Sequence, residues 1–393
     1  MNRIMSKKYY LRLIVILVYT TLISCTSEVY DVEVSNTMAV ERENESVELL
    51  VNKLPELIAS NVEKYGIYDK STKQFLTSQV IDNDMDGSPD VIIFQPQLAP
   101  NSSKRFQLII QDKGTDEIAY CYSRIVPERI DDYTWENNRI AFRTYGPEAQ
   151  RLVEEGEEGG LISSGIDCWL KKVEYPIIDK WYKESFNGIS YHEDHGEGLD
   201  DYHVGTSRGS GGLAIKNGDQ YFMSKNFSSF KTIATGPLRT VFLLNYDDWE
   251  GPEGPVKEQK MISLDYGSNL SRIAVSLEGT NNISAGISLH DNDGIIESAE
   301  NNSWINYKQP HEGTVLTNAL VTQTKYAIGN HTSITGKPDA DHVFIDLKVI
   351  DGQTIYYSGF HWSESKQFKD NMEWKSYLED FTNKLDNPIQ IKY

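Results

Sequence analysis

The sequence predicts an all-β fold, a sandwich or a barrel, with one helix near the C-terminus. Short runs rich in β-branched and aromatic residues recur between Val47 and Tyr357, and Gly, Asn and Asp separate them. Apolar residues at helical spacing occur late in the chain, at Trp374, Tyr377, Leu378, Phe381 and Leu385. Neither a repeat of fixed period nor an internal linker divides the sequence, so residues 46–393 are expected to form one β-sandwich domain.

The first 25 residues have the pattern of an export signal. Four basic residues between Arg3 and Arg12 precede the apolar run Leu13–Val18, and the segment Leu22–Cys25 follows. The ending in Cys25 resembles a bacterial lipobox, which implies cleavage before Cys25 and lipidation of its thiol. A membrane-spanning anchor is the alternative, but the apolar run is too short for one. We therefore expect an exported lipoprotein anchored in the outer membrane, on its periplasmic or cell-surface face.

The chain after this signal is acidic. Residues 26–45 are polar without an apolar period, which predicts a flexible tether between lipid and domain. The whole chain has 38 Lys and Arg against 58 Asp and Glu, a formal net charge of −20. This balance argues against a nucleic-acid partner, which needs a basic surface. It leaves open a polyanionic glycan, because a local basic pocket can exist on an acidic protein.

A loop rich in aspartate follows the first strand-like runs. Carboxylates alternate along it and Gly87 stands at its sixth position, as at the start of a calcium loop. The twelfth position is Ile93 rather than a bidentate Glu, so the loop is not an EF-hand. A structural calcium ion and a simple Asp/Gly-rich turn both remain open. The candidate ligands are Asp82, Asp84, Asp86 and Asp90.

Two cysteines remain besides Cys25, namely Cys121 and Cys168. Both stand in apolar, strand-like surroundings. Export permits a disulfide between them, and two buried free thiols are an equally good interpretation.

The stretch Tyr191–Gly212 carries the strongest signal of chemistry. It holds three of the eight histidines, five carboxylates, two tyrosines, one arginine and six glycines. Such a segment buries little apolar surface, and it supplies acids, bases and a cation together, as an active-site loop does. A solvated polar loop is the alternative. The catalytic candidates are His192, His195, Tyr202 and Arg208.

Residues before this stretch are candidates for binding a substrate. Arg143 and Tyr145 share one face of a predicted strand, and an arginine beside aromatic rings suits a sugar that carries a carboxylate. A surface salt bridge beside core aromatics is the alternative. The further candidates are Trp135, Lys180 and Asp200.

Several motifs together resemble a family of exported lipoproteins from bacterial polysaccharide-utilisation systems, long described as a domain of unknown function. The similarity covers most of the mature chain, and Ser210 stands where the family is expected often to have Cys. The motifs are Trp135–Arg143, Gly165–Asp167, Ile178–Tyr182, His192–Gly212, Phe360–Trp362 and the C-terminal helix.

This resemblance implies both an activity and a fold. Members of the family resemble dehydratases that act on ulvan oligosaccharides, removing water from a terminal uronic acid and leaving a 4,5-unsaturated sugar. The implied fold is a large β-sandwich similar to galactose-mutarotase-like domains. The expected partner is thus a uronate-containing oligosaccharide.

Removal of water across C4–C5 of a uronate requires three groups and no cofactor. A cation must neutralise the carboxylate, a base must take the C5 proton, and an acid must protonate the leaving hydroxyl. Arg143 or Arg208 can pair with the carboxylate. His192, His195 or Tyr202 can act as base and acid. The sequence leaves open which residue has which role.

Other chemistries remain open at the same stretch. His192, His195 and His203 could hold zinc, although no known zinc signature is matched. A hydrolase could use two carboxylates such as Glu193 and Glu197. A polysaccharide lyase would abstract the same C5 proton, and a non-catalytic glycan-binding lipoprotein would need no histidine cluster at all.

Overall fold

The computed structural model describes residues 29–112 and 118–393, and within them the chain is mostly β-sheet. This confirms the predicted all-β class. The export signal and Cys25 lie outside the described residues. Within the described part of the chain, no helix is both long enough and apolar enough to cross a membrane.

The strands follow one another from Tyr30 onwards. The first seven are β1 (Tyr30–Asn36), β2 (Val47–Leu50), β3 (Tyr65–Asp69), β4 (Gln74–Leu76), β5 (Ser78–Ile81), β6 (Val91–Phe94) and β7 (Ser102–Ile110). The next seven are β8 (Tyr122–Val126), β9 (Asp132–Glu136), β10 (Ala141–Thr144), β11 (Asp167–Lys171), β12 (Gly198–Leu199), β13 (Ser210–Asn217) and β14 (Gln220–Phe222). The others are β15 (Ser229–Ala234), β16 (Arg239–Asn245), β17 (Trp249–Gly251), β18 (Gly254–Asp265), β19 (Leu270–Glu278), β20 (Asn282–Ser288), β21 (Ile295–Ser298), β22 (Trp304–His311), β23 (Thr314–Thr322), β24 (Ala327–Ser333), β25 (His342–Lys348), β26 (Gln353–Trp362) and β27 (Gln390–Lys392). The α-helices are α1 (Glu56–Ala59), α2 (Pro147–Glu154), α3 (Ile178–Phe186) and α4 (Asn371–Asp386).

The first seven strands form a small sandwich with its own core. One sheet has the order β27-β1-β7-β3-β4 and the other the order β2-β6-β5. Their facing residues, among them Val34, Leu49, Phe94 and Phe106, are fully buried. The other face of the three-stranded sheet packs on Val241 and its neighbours in the larger part of the molecule. The β-sheets of the described residues therefore form two joined sandwiches.

Strand β1 corrects the prediction of a flexible tether over residues 26–45. Val32 and Val34 are buried, and they alternate with Asp31 and Glu33 along a strand that pairs with both β7 and β27. Such alternation is typical of a half-buried strand. Because only two apolar side chains carry the pattern, the acidic residues between them gave the segment the composition of a linker.

The larger sandwich contains the remaining strands. Its nine-stranded sheet has the order β15-β16-β18-β19-β26-β23-β22-β21, with β17 paired to β18. Two five-stranded sheets, β12-β11-β10-β9-β8 and β14-β13-β20-β25-β24, face it. Apolar residues of all three sheets form one continuous core, which makes this a sandwich of one wide layer against two narrower ones.

The sheet β12-β11-β10-β9-β8 has a polar outer face, and this face positions the candidate site. Its inward residues, such as Phe142 and Cys168, belong to the core. Its outward residues include Arg143 and Asp167, which are directly opposite each other in the β10–β11 pairing. Helix α3 packs on this outer face and buries the polar side chains of the sheet.

Helix α4 confirms the helix predicted near the C-terminus. Asp370 caps its first turn by accepting hydrogen bonds from two backbone N–H groups, and Trp374 and Leu378 are buried against the nine-stranded sheet. The two cysteines that the sequence left open are both buried free thiols, at Cys121 and Cys168.

Candidate active site

The stretch Tyr191–Gly212 runs from the end of α3, through β12, to the start of β13. Three further histidines, which come from distant parts of the chain, form hydrogen bonds to this stretch. His290 Nε2 lies 2.8 Å from the carbonyl oxygen of His203, and His311 Nε2 lies 2.7 Å from Asp201 Oδ1. His342 Nε2 accepts the backbone N–H of Arg208 at 3.0 Å. Six of the eight histidines in the chain are thus in this stretch or bonded to it.

A buried arginine lies beneath the first half of the stretch, surrounded by three aspartates. Arg143 Nη2 is 2.6 Å from Asp167 Oδ2 and 2.9 Å from Asp200 Oδ2. Arg143 Nη1 is 3.7 Å from Asp132 Oδ2. All four side chains are at most 7% exposed. We call these four residues the Arg143 cluster.

The Arg143 cluster holds more carboxylates than its one cation can neutralise. Burial raises the pKa of Asp132 to about 7 and that of Asp167 to about 7, although Arg143 opposes the rise in both. Burial likewise raises the pKa of Asp200 to about 6. Burial alone would lower the pKa of Arg143, but Asp200 and Asp167 raise it well above its usual value. At neutral pH the cluster therefore contains one permanent cation together with carboxyl groups that can both donate and accept protons.

Three buried tyrosines adjoin the Arg143 cluster. Tyr145 Oη lies 3.5 Å from Asp167 Oδ2, and the Arg143 guanidinium is 5.7 Å from the Tyr145 ring centre. Burial raises the pKa of Tyr145, Tyr182 and Tyr202 well above the usual value for a phenol, so all three keep their protons. These phenols can therefore act as hydrogen-bond or proton donors.

Several polar atoms of this region are buried without a hydrogen-bond partner among the described residues. An unpartnered buried polar group costs about 1–3 kcal/mol, so such atoms are rare in a stable core. Their concentration here is what a site for a polar ligand would produce. They are Asp167 Oδ1, Trp169 Nε1, Tyr182 Oη and Tyr202 Oη, together with Arg143 Nη1 and Asp132 Oδ2, which face each other at 3.7 Å.

His192 connects the Arg143 cluster to solvent. Its Nδ1 bonds the backbone carbonyl of Asp200 and lies 3.7 Å from Asp200 Oδ2, while 57% of its side chain is exposed. Residues His192–Gly196 are all exposed, and His192 is the one of them that contacts the cluster. Gly198, with φ of +117°, fixes the chain just after this segment, because a Cβ there would lie 1.9 Å from the carbonyl oxygen of Leu170.

The structure brings together five of the nine predicted catalytic and substrate-binding residues, and it separates the others. Arg143, Tyr145 and Asp200 are part of the buried site, and His192 lies at its edge. Tyr202 belongs to the core beside the site, where burial and the charge of Asp167 both raise its pKa. The other four are in three different places, described next.

Arg208 and Trp135 are interior residues that do not reach the site, contrary to the predictions. Arg208 Nη1 bonds Ser164 Oγ at 2.9 Å inside the sandwich, and burial lowers its pKa to about 10. Trp135 is fully buried and donates its indole N–H to Ser271 Oγ at 2.9 Å. The alternation of β9 explains the second error, because its aromatic residues face the core while Asp132 faces the site.

His195 and Lys180 lie on the outside of the protein. His195 Nε2 is 3.1 Å from the carbonyl of Ser190, and Lys180 forms an ion pair with Glu197. Both residues line a surface pocket of about 270 Å³ beside α3. Neither has a contact with the Arg143 cluster.

The sequence interpretation missed Asp132, Asp167 and Tyr182 as site residues. It also offered Arg143 as the partner of a substrate carboxylate, and in the structure Nη2 and Nε of Arg143 pair with Asp167 and Asp200 while Nη1 has no hydrogen bond. The alternation of β9 was the signal available for Asp132. No signal in the sequence specified that Asp167 is opposite Arg143, because strand register is a property of the folded sheet.

One group of potential metal ligands occurs in the described residues, in the aspartate loop between β5 and β6. Carboxylate oxygens of Asp82, Asp84 and Asp86 all lie within 4.8 Å of one another. Asp90 Oδ2 instead accepts the backbone N–H of Asn83 at 2.7 Å and closes the loop. The structural calcium ion stays a prediction, now with three candidate side chains. The histidines considered for zinc do not form such a group within the described residues.

The chain is similar to one protein family and to individual known proteins. The sequence model of the family described as Domain of unknown function (DUF4861) matches residues 34–391. A protein of Formosa agariphila named Uncharacterized protein P7 is 45% identical over 364 residues, which make up 92% of either chain.

Two solved structures from Enterococcus faecalis also align with the chain. One is described as a protein in the glycosyl hydrolase family 38, with a TM-score of 0.47 and 11% identity. The other is described as an alpha-mannosidase, with a TM-score of 0.43 and 9% identity. The alignments cover 93% of this chain, which spans about half the length of those two chains.

Proposed function

This chain belongs to the family described as Domain of unknown function (DUF4861), and we propose that it is a carbohydrate-active lyase. The proposed reaction removes water from the terminal uronic acid of an oligosaccharide of the ulvan type and leaves a 4,5-unsaturated sugar. The observation that carries the proposal is the Arg143 cluster, in which carboxyl groups with pKa values of about 6 to 7 surround one cation beside protonated phenols.

The first requirement of the reaction is to weaken the C5–H bond by neutralising the substrate carboxylate. Asp132 and Asp167 in their neutral forms can donate hydrogen bonds to that carboxylate, as carboxylic acids kept neutral by burial do elsewhere. Arg143 Nη1 adds a charged donor without a present hydrogen bond. Together these groups would stabilise the negative charge that develops when the C5 proton leaves.

The second requirement is a base and an acid at the reacting carbon atoms. We assign the base to His192, because its ring contacts Asp200 and reaches solvent, where the proton can be released. We assign the acid to Tyr202 or Tyr182, whose hydroxyl groups keep their protons and have no hydrogen-bond partner in the described residues. One proton is taken from C5 and another is given to the departing hydroxyl, so the products are water and the unsaturated sugar.

A glycoside hydrolase on the same substrates is the second candidate. Two buried carboxyl groups with raised pKa values, such as Asp167 and Asp200, are also the groups with which a glycosidase cleaves its substrate. The expected location is the same for either enzyme, an exported lipoprotein held in the outer membrane through Cys25. No cofactor is required for either reaction.

Incubation with uronate-terminated oligosaccharides tests the proposal. Mass spectrometry should show the loss of one water without cleavage of the chain, and ultraviolet absorbance of the conjugated product should rise. A shortened chain with an unsaturated end would indicate a polysaccharide lyase, and a shortened chain without unsaturation would indicate a hydrolase. Binding with no product would indicate a glycan-binding lipoprotein and would refute both enzyme assignments.

A further inference from the structure

A second polar cleft lies at the other end of strand β13 from the Arg143 cluster. Its volume is about 520 Å³, within the range of ligand-binding pockets. The site stretch ends at Gly212 near the start of β13, whereas the cleft takes Ile215, Lys216 and Asn217 from the end of that strand, roughly 10–17 Å further along it. Its polar lining residues include Lys216, Asn217, Glu253, Asn282, His331 and Asp346.

Three lining residues of this cleft, Ser284, His331 and Asp346, belong to a chain of hydrogen bonds that extends to Tyr221 outside the lining and fixes the histidine ring. His331 Nδ1 lies 3.0 Å from the Asp346 carboxylate, and His331 Nε2 lies 3.0 Å from Tyr221 Oη. Ser284 Oγ donates to Asp346 Oδ1 at 2.6 Å. We call Tyr221, His331 and Asp346 the Tyr221 relay.

Hydrogen bonds keep the carboxylate of the Tyr221 relay ionised. Burial raises the pKa of Asp346, but hydrogen bonds from His331 and Ser284 outweigh it and hold the pKa below its usual value. The carboxylate can thus accept the Nδ1–H of His331, and Nε2 shares a hydrogen bond with Tyr221 Oη. The Tyr221 hydroxyl uses one of its hydrogen-bonding positions in this bond and keeps others for a further hydroxyl group.

The relay also forms a flat and rigid surface. The Tyr221 and His331 rings both stack on Phe344, with ring centres 5.0 Å and 4.9 Å away and interplanar angles of 14° and 16°. Residues of three different strands thus hold two nearly coplanar rings side by side. The His331 ring lines the cleft and can therefore pack against the apolar face of a sugar ring.

Charged and amide groups of the cleft remain available for a ligand. Lys216 and Glu253 have no ion-pair partner within 4.0 Å among the residues that the structure describes. The side chains of Asn217, Asn281 and Asn282 form no hydrogen bonds there either. The cleft therefore offers donors and acceptors at several points, with carboxylates at Asp346 and Glu253.

We propose that this cleft is a second carbohydrate-binding site, specific for neutral sugar units. The hydroxyl groups of such a ligand would match the mixed donors and acceptors, and its ring would pack against the Tyr221 relay. The two carboxylates would repel a uronate, so this site and the Arg143 cluster would bind chemically different parts of a glycan. The inference depends on the cleft alone and does not require the proposed lyase activity.

The test titrates the full mature protein with neutral tetrasaccharides of glucose, mannose, xylose or rhamnose, followed by calorimetry. At least one should bind, and Lys216→Ala and Asp346→Asn should each weaken it by at least about tenfold. Tyr221→Phe keeps the stacked ring and should weaken binding less. The control is Lys231→Ala, an exposed lysine on β15, which should bind like the wild type. Thermal unfolding of each variant verifies that it is folded.

Two results would overturn the second site. One is the absence of binding by every neutral tetrasaccharide, and the other is binding by Lys216→Ala or by Asp346→Asn that equals binding by the wild type. Asp167→Asn separates this inference from the proposed function. If Asp167→Asn abolishes turnover of a short uronate substrate but keeps neutral-sugar binding, the two sites are independent. If the wild type binds neutral sugars but never turns over a uronate, only the proposed function fails.

Discussion

The Arg143 cluster and the Tyr221 relay use similar residue types on two neighbouring five-stranded sheets, yet they differ in burial and in balance. In the Arg143 cluster three buried carboxylates share one guanidinium, and several polar atoms have no partner in the described residues. In the Tyr221 relay each group has a partner, and the carboxylate is partly exposed. Carboxylates therefore can exchange protons near neutral pH in the Arg143 cluster, whereas the carboxylate of the Tyr221 relay stays ionised.

Burial and the number of hydrogen-bond partners decide whether a carboxylate serves to bind a ligand or to transfer a proton. A satisfied and partly solvated carboxylate keeps a low pKa and serves as a fixed acceptor. A crowded and buried carboxylate has a raised pKa and can exchange a proton near neutral pH. The four predictions below test this contrast, beginning with the largest expected effect.

Replacement of Arg143 by Ala should have the largest effect of any single change discussed. It leaves three carboxylates buried without their cation, and removal of one partner of a buried ion pair typically costs about 3–5 kcal/mol of stability. Urea denaturation should show this loss, and turnover of a uronate substrate should disappear. The control is Arg105→Ala, which breaks an exposed pair with Glu33 and should change stability by less than about 1 kcal/mol. Equal stability of the two variants would contradict the contrast.

His192→Ala and Tyr202→Phe should each reduce turnover about 10²–10⁴-fold, the usual range for general acid–base groups. The fold should persist, because His192 is exposed and the Tyr202 hydroxyl has no hydrogen-bond partner in the described residues. His195→Ala is the matched control, since His195 contacts the carbonyl of Ser190 and not the Arg143 cluster. Steady-state kinetics on one substrate decide the matter. A loss of rate in His195→Ala as large as in His192→Ala would move the base to His195.

Asp132→Asn should stabilise the protein at high pH and have little effect at low pH. The folded-state pKa of Asp132 is raised from 3.8 to about 7, so the folded protein binds more protons than the unfolded chain between these values. Stability from this group is therefore present below about pH 4 and declines as pH rises to about 7. One pKa unit corresponds to about 1.4 kcal/mol, which gives a gain of at most about 4 kcal/mol above pH 7. Denaturation curves at pH 5 and pH 8 measure it, and an unchanged pH dependence would contradict it.

Asp346→Asn should give the smallest effect and the opposite pH dependence. The pKa of Asp346 is lowered, so its stabilising contribution is present above the unfolded-state pKa and declines as pH falls through the folded-state pKa. The wild type should therefore lose slightly more stability than the variant on acidification below about pH 4. Because the side chain is partly exposed, the difference should be under about 1 kcal/mol. Acid titration followed by circular dichroism compares the two proteins.

The elements that the sequence predicted well are those with a local pattern. The apolar period of α4 and the alternation of the strands are contained in short segments, and both are confirmed. Strand β1 was missed because its partners lie far away, with Glu33 opposite Arg105 in β7 and opposite Lys392 in β27. Its own seven residues have too few apolar side chains to identify a strand.

The candidate site was predictable in its location and not in its membership. The density of polar residues in Tyr191–Gly212 indicated the location, and Arg143 followed from its place beside aromatic residues. The partners of Arg143 depend on which residues face each other across β10 and β11, and this is decided by packing. Trp135 shows the same limit, since one step along β9 separates a residue of the core from a residue of the site.

The pairing of β27 with β1 has a consequence for the order in which the chain can acquire its structure. The small sandwich contains the earliest described strands, yet its sheet and core include Ile391 and Tyr393, and the Tyr393 hydroxyl accepts the backbone N–H of Leu50 at 2.7 Å. The edge of this sandwich at β1 stays unpaired until β27, which begins 280 residues after the end of β7 (390 − 110), has been synthesised. Until then β1 has an open edge that invites pairing with other chains. Strand pairings between residues so far apart in sequence form slowly. A chain that stays unfolded until its synthesis is complete would not expose the unpaired edge of β1 to other chains.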